Sequence, residues 1–263
     1  MKKTISIYGG GWVGAPLAFK LALADFEVRV SASSVHQQAA HPKIKVLDFR
    51  AEPEMPAENW SAMIDSEVQI WAIPPRRKKN SEETYLAILQ DWVDNLPVGA
   101  AKKLIFLSST SVYANVSDTV DENSGINEDS LMAKAEAIVS SSKVPSLILR
   151  LAGLMGGDRF VGKYFSGKRN DGANCPINYV HKDDVVALIA LAAEKINSGI
   201  YNIGTDEISK QGGKSHDKPV EIVVNFRSIA GSLFFFKHLE SSERSRNSVA
   251  DNNFENFKFV YVK

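Results

Sequence analysis

Apolar runs of strand length alternate with helical patterns through roughly the first 200 residues of the chain. "TISIY" at 4–8 reads as a strand, followed by a helix from about Trp12 to Asp25 and a second strand, "FEVRVS", at 26–31. "IKVLDF" at 44–49 and "VQIWAI" at 68–73 continue the strand series, with a short helix over Ala57 to Met63 between them. A longer helix, Ser81 to Asn95, precedes "KLIFLSS" at 103–109; a helix over Ser130 to Ser142 precedes "SLILRLAG" at 146–153. Beyond an irregular Gly-, Arg- and Lys-rich stretch, a helix over Lys182 to Lys195 leads into "GIYNIG" at 199–204. Short strands that are apolar on both faces and separated by helices predict a parallel sheet covered on both sides, a doubly wound α/β fold. Residues 1–150 are expected to form this domain. Residues 151–263 are expected to form a smaller substrate-side lobe, interleaved with the last sheet strands.

Composition adds boundaries rather than direction. The chain has 263 residues, 44% of them apolar and 24% charged, enough for one large buried core. Its 31 basic and 31 acidic side chains balance, so no long-range field recruits nucleic acid or an anionic membrane. Cys175 is the only cysteine, which excludes an intramolecular disulfide and fits a reducing compartment. No apolar run reaches membrane-spanning length, and the stretch behind the two N-terminal lysines is too short for a signal-peptide core. A cytoplasmic location is the default expectation.

The chemistry begins at "ISIYGGGWVGAPLA", where Gly9, Gly11 and Gly14 stand in G-x-G-x-x-G spacing between a strand and a helix. The first glycine permits the tight turn, the second lets backbone approach a pyrophosphate, and the third allows close helix–strand contact. The helix N-terminus adds N–H groups and a positive dipole end. Trp12 and Val13 within the turn, with Ile73 and Pro74 after the fourth strand, are expected to line the dinucleotide. A Rossmann-type cofactor domain is the reading.

The choice of dinucleotide falls at the end of the second strand, where an acid would accept from the ribose 2′-hydroxyl. From Arg29 to Gln38 there is no carboxylate, and Ser31, Ser33 and Ser34 can donate to a 2′-phosphate. NADP is therefore favoured, with NAD as the alternative. Asp48, after the third strand, stands where such folds often touch the adenine amino group; a strand-end turn residue is the competing reading.

Together with "SSTSVY" at 108–113, "LILRLAGLMGG" at 147–157 and "INYVHKDDVVALIALA" at 177–192, this turn resembles the extended short-chain dehydrogenase/reductase superfamily, the NAD-dependent epimerases and dehydratases of nucleotide sugars. The resemblance covers roughly residues 3 to 205. The glycine turn without a leading threonine, and "AIPP" at 72–75, resemble an atypical branch whose members often lack the catalytic tyrosine. The resemblance implies that Ser109 hydrogen-bonds the substrate oxygen and that Lys134 binds the nicotinamide ribose. It also implies a homodimer built on helices around 81–95 and 130–142. Ser130 stands at the tyrosine position, and a serine hydroxyl is a far poorer proton donor than a phenol of pKa about 10 tuned downward by a cation.

Three readings stay open. The proton donor has moved, with Tyr113 the nearest candidate and Tyr164 and Tyr179 further along; or the fold serves as a non-catalytic dinucleotide sensor; or water or Ser109 relays the proton. Arg159 and Lys163, with Lys168 and Arg169, form a basic set expected to meet a substrate phosphate or carboxylate. Arg76, Arg77, Lys78 and Lys79 read as a solvated loop. His181, Asp183 and Asp184 read as a helix start rather than a metal site. No metal site is expected, and the partner expected is a small-molecule substrate, with neither nucleic acid nor membrane.

Overall fold

The computed structural model describes residues 3–32, 41–75, 81–114, 120–159, 176–204, 209–210, 221–222 and 236–237. Its elements run β1 (Thr4–Tyr8), α1 (Gly14–Leu23), β2 (Glu27–Ser31), β3 (Ile44–Leu47), α2 (Ala57–Ile64), β4 (Val68–Trp71), α3 (Glu82–Asp94) and β5 (Lys103–Ser109). They continue with α4 (Leu131–Ser140), β6 (Ser146–Leu151), β7 (Gly153–Met155), β8 (Pro176–Ile177), β9 (Tyr179–His181), α5 (Lys182–Lys195) and β10 (Gly199–Ile203). Among the described residues the main sheet has seven strands in the order β10-β6-β5-β4-β1-β2-β3, all parallel. The chain leaves β1 toward β2 and β3, then returns to place β4 on the other side of β1. That reversal is the crevice where open α/β sheets hold ligands.

Period-two alternation builds a separate core on each face of the sheet. Ile5 and Ile7, Val68 and Ile70, and Ile105 face α1 and α5, where Leu17, Leu21, Val185 and Ile189 complete one cluster. Tyr8, Trp71, Leu104 and Phe106 face the other side, with Trp60, Leu89, Trp92, Ala135 and Val139 from α2, α3 and α4. Tyr8 stacks on Trp71 at 5.6 Å and meets Trp92 edge-on at 5.5 Å. Burial raises the Tyr8 phenol far above its usual range, and its hydroxyl donates to Gln69 Oε1 at 3.0 Å. Several buried polar groups of this face are hydrogen-bonded within it: Gln69 donates to the carbonyls of Ile64 and Ser66, and Ser6 to that of Met63.

The stretch 146–153 is not one strand. At Ala152 the backbone changes partner: Ala152 N–H donates to Ile203 of β10, whereas Gly153 N–H donates to Asn178 and starts β7 against β9. A Cβ at Gly153 would lie 2.7 Å from the Tyr179 ring, so the departing strand needs a glycine there. β10 joins the main sheet beside β6, so the C-terminal part of the chain does contribute to the dinucleotide-type sheet. Beyond it, only two short antiparallel pairs are described: β11 (Ser209–Lys210) with β8, and β12 (Glu221–Ile222) with β13 (Phe236–Lys237). Most of the expected C-terminal lobe lies outside the described residues. Among the described residues the exposed large apolar side chains are Phe19, Leu23, Val98 and Ile200, none of them on α3 or α4. No helix among them is long and apolar enough to cross a membrane.

Candidate active site

A cleft of about 670 Å³ opens along the C-terminal ends of β1, β4, β5 and β6. Gly9, Gly11, Trp12 and Val13 line one side, Ala72 to Pro75 the next, and residues of β5, β6 and their loops the remainder, among them Leu107, Ser109, Ser111, Leu151, Leu154 and Arg159, with Met132 of α4.

The glycine turn is held by its neighbours. Gly9 has φ +102°, and a Cβ there would stand 3.0 Å from the Ala72 carbonyl group, so two loops meet backbone to backbone. A Cβ at Gly14 would fall 2.0 Å from the Gly9 carbonyl oxygen, whereas Gly11 has nothing within 4 Å and faces open space. α1 starts at Gly14 with Val13 as its cap, which supplies no side-chain acceptor to the first N–H groups. The Ala15 N–H already donates to the Gly11 carbonyl at 3.0 Å and the Leu17 N–H to the Val13 carbonyl at 3.1 Å, and Pro16 has none, so what the helix start offers an anion is chiefly its positive dipole end. The turn thus has the close contacts and the opening that a pyrophosphate cradle needs.

Ser31 sits beneath this turn rather than beside a ribose. Its hydroxyl accepts the Gly9 N–H at 2.8 Å, its carbonyl accepts the Gly10 N–H at 2.6 Å, and the residue is 4% exposed. Both acceptors of Ser31, a residue expected at a 2′-phosphate, here serve the glycine turn. Ser33 and Ser34 lie outside the described residues, as do Lys163 and the basic run 76–79. Asp48 is exposed just past β3 and does not line the cleft.

The second loop, Ala72 to Pro75, is anchored by a residue that the sequence reading passed over. Tyr85 of α3 donates its hydroxyl hydrogen to the Ile73 carbonyl at 3.2 Å and accepts from Trp71 Nε1 at 3.3 Å. Burial pushes the Tyr85 phenol up to about 12, so it keeps its proton and its donor role. Ser81 caps α3 by accepting the Thr84 N–H at 3.2 Å.

Ser109 ends β5 on the cleft wall, where its hydroxyl accepts the Ser111 N–H at 3.1 Å. That bond orients the oxygen and leaves its hydrogen for another acceptor. Ser130 is the N-cap of α4, its oxygen taken by the Ala133 N–H at 3.2 Å. With the helix starting there, the buried stripe is Met132, Ala135, Glu136 and Val139, and Met132 lines the cleft. Lys134 falls on the other side: it is exposed, lines no part of the cleft, and lies near Glu83 of α3. The Glu83 carboxyl is held below its usual range first by a backbone hydrogen bond and then by Ser81, with the Lys134 charge adding a smaller pull. With the helix capped at Ser130, Lys134 stands exposed and away from the cleft lining, where the ribose contact expected of it is not seen.

Tyr113 is likewise not a group at the cleft. It is 3% exposed, donates to Asn202 Oδ1 at 2.7 Å and accepts from Arg150 Nη1 at 3.0 Å. Burial pushes its phenol up, against the opposing pull of Arg150. Arg150 in turn grips Glu136 through Nη2 at 2.8 Å and Nε at 3.1 Å, and Glu136 accepts the Ser108 hydroxyl at 2.5 Å. This buried chain ties α4 to β5, β6 and β10 directly behind the cleft wall, and its trace in the sequence is the place of Glu136 in the apolar stripe of α4. His181 is the cap of α5, accepting the Asp183 N–H at 3.3 Å, with Asp183 and Asp184 in the first turn. Among the described residues no group of three or more His, Cys, Asp or Glu is gathered for a metal.

No family model matches the chain. In solved structures, the Bordetella bronchiseptica enzyme WbmH in complex with NAD+ superposes with a TM-score of 0.66 at 14% identity, over 80% of this chain and 78% of that one. The UDP-glucose 4-epimerase of Thermotoga maritima with UDP-glucose gives 0.63 at 20% identity, over 79% and 78%. At such identities the likeness is one of fold, the α/β fold of NAD-dependent epimerases and dehydratases. In sequence, Protein YeeZ of Escherichia coli, in strain K12 and in O157:H7, is 33% identical over 211 residues, spanning 76% of this chain and 77% of its own length. On that extended match, the chain belongs to the family of YeeZ.

Proposed function

We propose that the protein binds a nicotinamide dinucleotide in this cleft and acts as an oxidoreductase or epimerase on a small or nucleotide-linked carbonyl or alcohol. The observation that carries the reading is the convergence, in one cavity of about 670 Å³, of the glycine turn, the Ala72–Pro75 loop and the Ser109 hydroxyl. The NAD bound by WbmH and the UDP-glucose bound by the Thermotoga epimerase support it through the shared fold. When bound, the dinucleotide supplies hydride transfer.

The chain's own residues then have distinct tasks. Gly9 and Gly14 keep the turn tight, Gly11 opens it to the pyrophosphate, and the positive end of the α1 dipole faces the phosphates. Tyr85 holds the Ile73–Pro74 loop against the cofactor, and the aliphatic wall of Leu107, Leu151 and Leu154 excludes water. Ser109, oriented by Ser111, donates its hydroxyl hydrogen to the substrate oxygen. The absence of a carboxylate from Arg29 to Gln38, with Ser33 and Ser34 nearby in sequence, favours NADP over NAD.

A second reading draws on Ser130, whose oxygen is taken by helix capping, and on the exposed position of Lys134: the protein senses a dinucleotide without chemistry. Calorimetric titration with NADPH, NADP, NADH and NAD tests both. Micromolar binding is expected, with NADPH preferred, and turnover is expected from the enzyme alone, followed at the nicotinamide absorbance for net oxidation or reduction and by product analysis for epimerisation. Failure of all four ligands to bind removes the dinucleotide reading. Tight binding without turnover across a substrate panel supports the sensor.

A further inference from the structure

Trp12 and Arg159 line the cleft, and Lys182 reaches the same indole from α5. Arg159 leaves the backbone from a two-residue turn, Gly157–Asp158, closed by reciprocal hydrogen bonds: Gly156 N–H to the Arg159 carbonyl at 2.9 Å and Arg159 N–H to the Gly156 carbonyl at 3.1 Å. Both turn glycines have positive φ, +116° at Gly156 and +59° at Gly157, so the exit direction of Arg159 is set by backbone that only glycine adopts readily. The Arg159 guanidinium lies 4.2 Å from the centroid of the Trp12 ring, and Lys182 Nζ, at the first residue of α5, lies 5.4 Å from the same ring. The indole is held in place, its Nε1–H donating to Asp158 Oδ1 at 3.2 Å.

Two cations from different segments thus share one aromatic platform, immediately after Gly11 of the glycine turn. A guanidinium over an aromatic ring gives up little affinity for anions, because its N–H fork stays in the guanidinium plane and can still grip oxygens. Two carboxylates belong to the cluster. Asp158 accepts the indole N–H, and Asp183 stands 3.9 Å from Lys182 Nζ with its side chain 66% exposed, where solvent screens the pair.

We propose that this cluster is a docking site for a phosphate group of the substrate, distinct from the cradle for the cofactor's pyrophosphate. The inference rests on the reading of the cleft as a dinucleotide site and specifies which substrates that site takes. A phosphate offers three oxygens and up to two negative charges to the Arg159 fork and the Lys182 ammonium together, whereas a carboxylate offers two oxygens and a single charge to the same pair of cations. Trp12 holds both cations in place before the ligand arrives, reducing the ordering cost of binding.

The test is calorimetry on the full chain, saturated with whichever nicotinamide dinucleotide it binds, using inorganic pyrophosphate and UDP as probes and acetate as the control. Both phosphate probes are expected to bind and acetate not to. Arg159→Gln and Lys182→Gln are each expected to weaken the probes by about tenfold, as for loss of a charge-assisted contact, with cofactor affinity changed by less than about twofold. Trp12→Phe keeps the platform and stays near wild type, while Trp12→Ala loses probe affinity. The proposal is overturned if the probes fail to bind wild type, if they bind the variants equally well, or if the variants lose cofactor affinity instead, which assigns the cations to the cofactor's own phosphates. Should no dinucleotide bind, the same titrations on the unliganded chain still compare wild type with variants, so the cluster and the cofactor reading fail separately.

Discussion

Three glycines of one turn carry three different constraints, and single substitutions separate them. Gly14→Ala drives a methyl into the Gly9 carbonyl oxygen, and overpacking of this kind costs roughly 1–3 kcal/mol. Its thermal midpoint is expected to drop and dinucleotide binding to vanish. Gly11→Ala meets nothing within 4 Å, so it is expected to leave the thermal midpoint near wild type while weakening the cofactor. Equal loss of stability in both variants would contradict this division. Ser130 is likewise distinguishable from a catalytic group. Ser130→Ala is expected to cost about 1 kcal/mol in urea unfolding through loss of the cap, and Ser130→Asp to restore it. A turnover defect that Asp does not rescue would point to chemistry instead. The glycine spacing was legible from sequence because close approach leaves only one residue type. The fate of Lys134 was not, since a helix phase depends on where the cap falls, and that was settled by one serine hydroxyl.

Elements are joined by buried polar contacts that hydrophobic patterning does not announce. Glu136 reads as an ordinary helix carboxylate in "AKAEAIV", yet both partners of its bidentate pair with Arg150 are buried, at 6% and 3% side-chain exposure. The available signal was its place in the apolar stripe with Met132, Ala135 and Val139. Removing one member leaves an uncompensated buried charge, so Glu136→Ala is expected to cost about 3–5 kcal/mol in chemical unfolding, more than an exposed carboxylate ever does. The Glu136→Leu, Arg150→Met double variant is expected to recover much of that loss. Lys103 performs a similar join between β5 and the C-terminal end of α5, donating to the carbonyls of Ala192 and Ala193 at 3.2 and 2.7 Å. Burial first, and the charge of Lys3 second, lower its pKa from 10.5 to about 8. Between these two values the unfolded chain holds a proton that the folded one has released, so stability rises with pH across that window. Denaturant midpoints measured from pH 7.5 to 10.5 are expected to climb in wild type relative to Lys103→Met; parallel curves would contradict the assignment.

At the scale of the molecule, the sheet separates two unlike interiors. The aliphatic side, between the strands and α1 and α5, was legible from alternation, as was the strand order's parallel character. The aromatic side gathers Trp60, Trp71 and Trp92, leaving Trp12 as the tryptophan of the cleft. Intrinsic fluorescence should therefore report two events independently: Trp12→Phe is expected to abolish most of the change on dinucleotide binding while preserving the emission shift on unfolding. A binding signal that survives Trp12→Phe would move the ligand elsewhere. What sequence did not disclose is the break in 146–153, because a run of apolar residues carries no mark of which strand its backbone will pair with next.

That break, at Ala152, has an architectural meaning. On one side of a single peptide the chain is bonded into the seven-stranded sheet that carries the glycine turn; on the other it belongs to a two-stranded ribbon that carries the turn with Arg159 and leads into α5. The ribbon is thus a second small sheet seated on the first: the chain leaves the main sheet at Ala152 and comes back to it through α5, while Val180 and Leu154 stay packed in the aliphatic core. A designer can therefore redraw the outward positions of that ribbon without breaking a main-sheet hydrogen bond, but a change at Val180 is felt in the foundations.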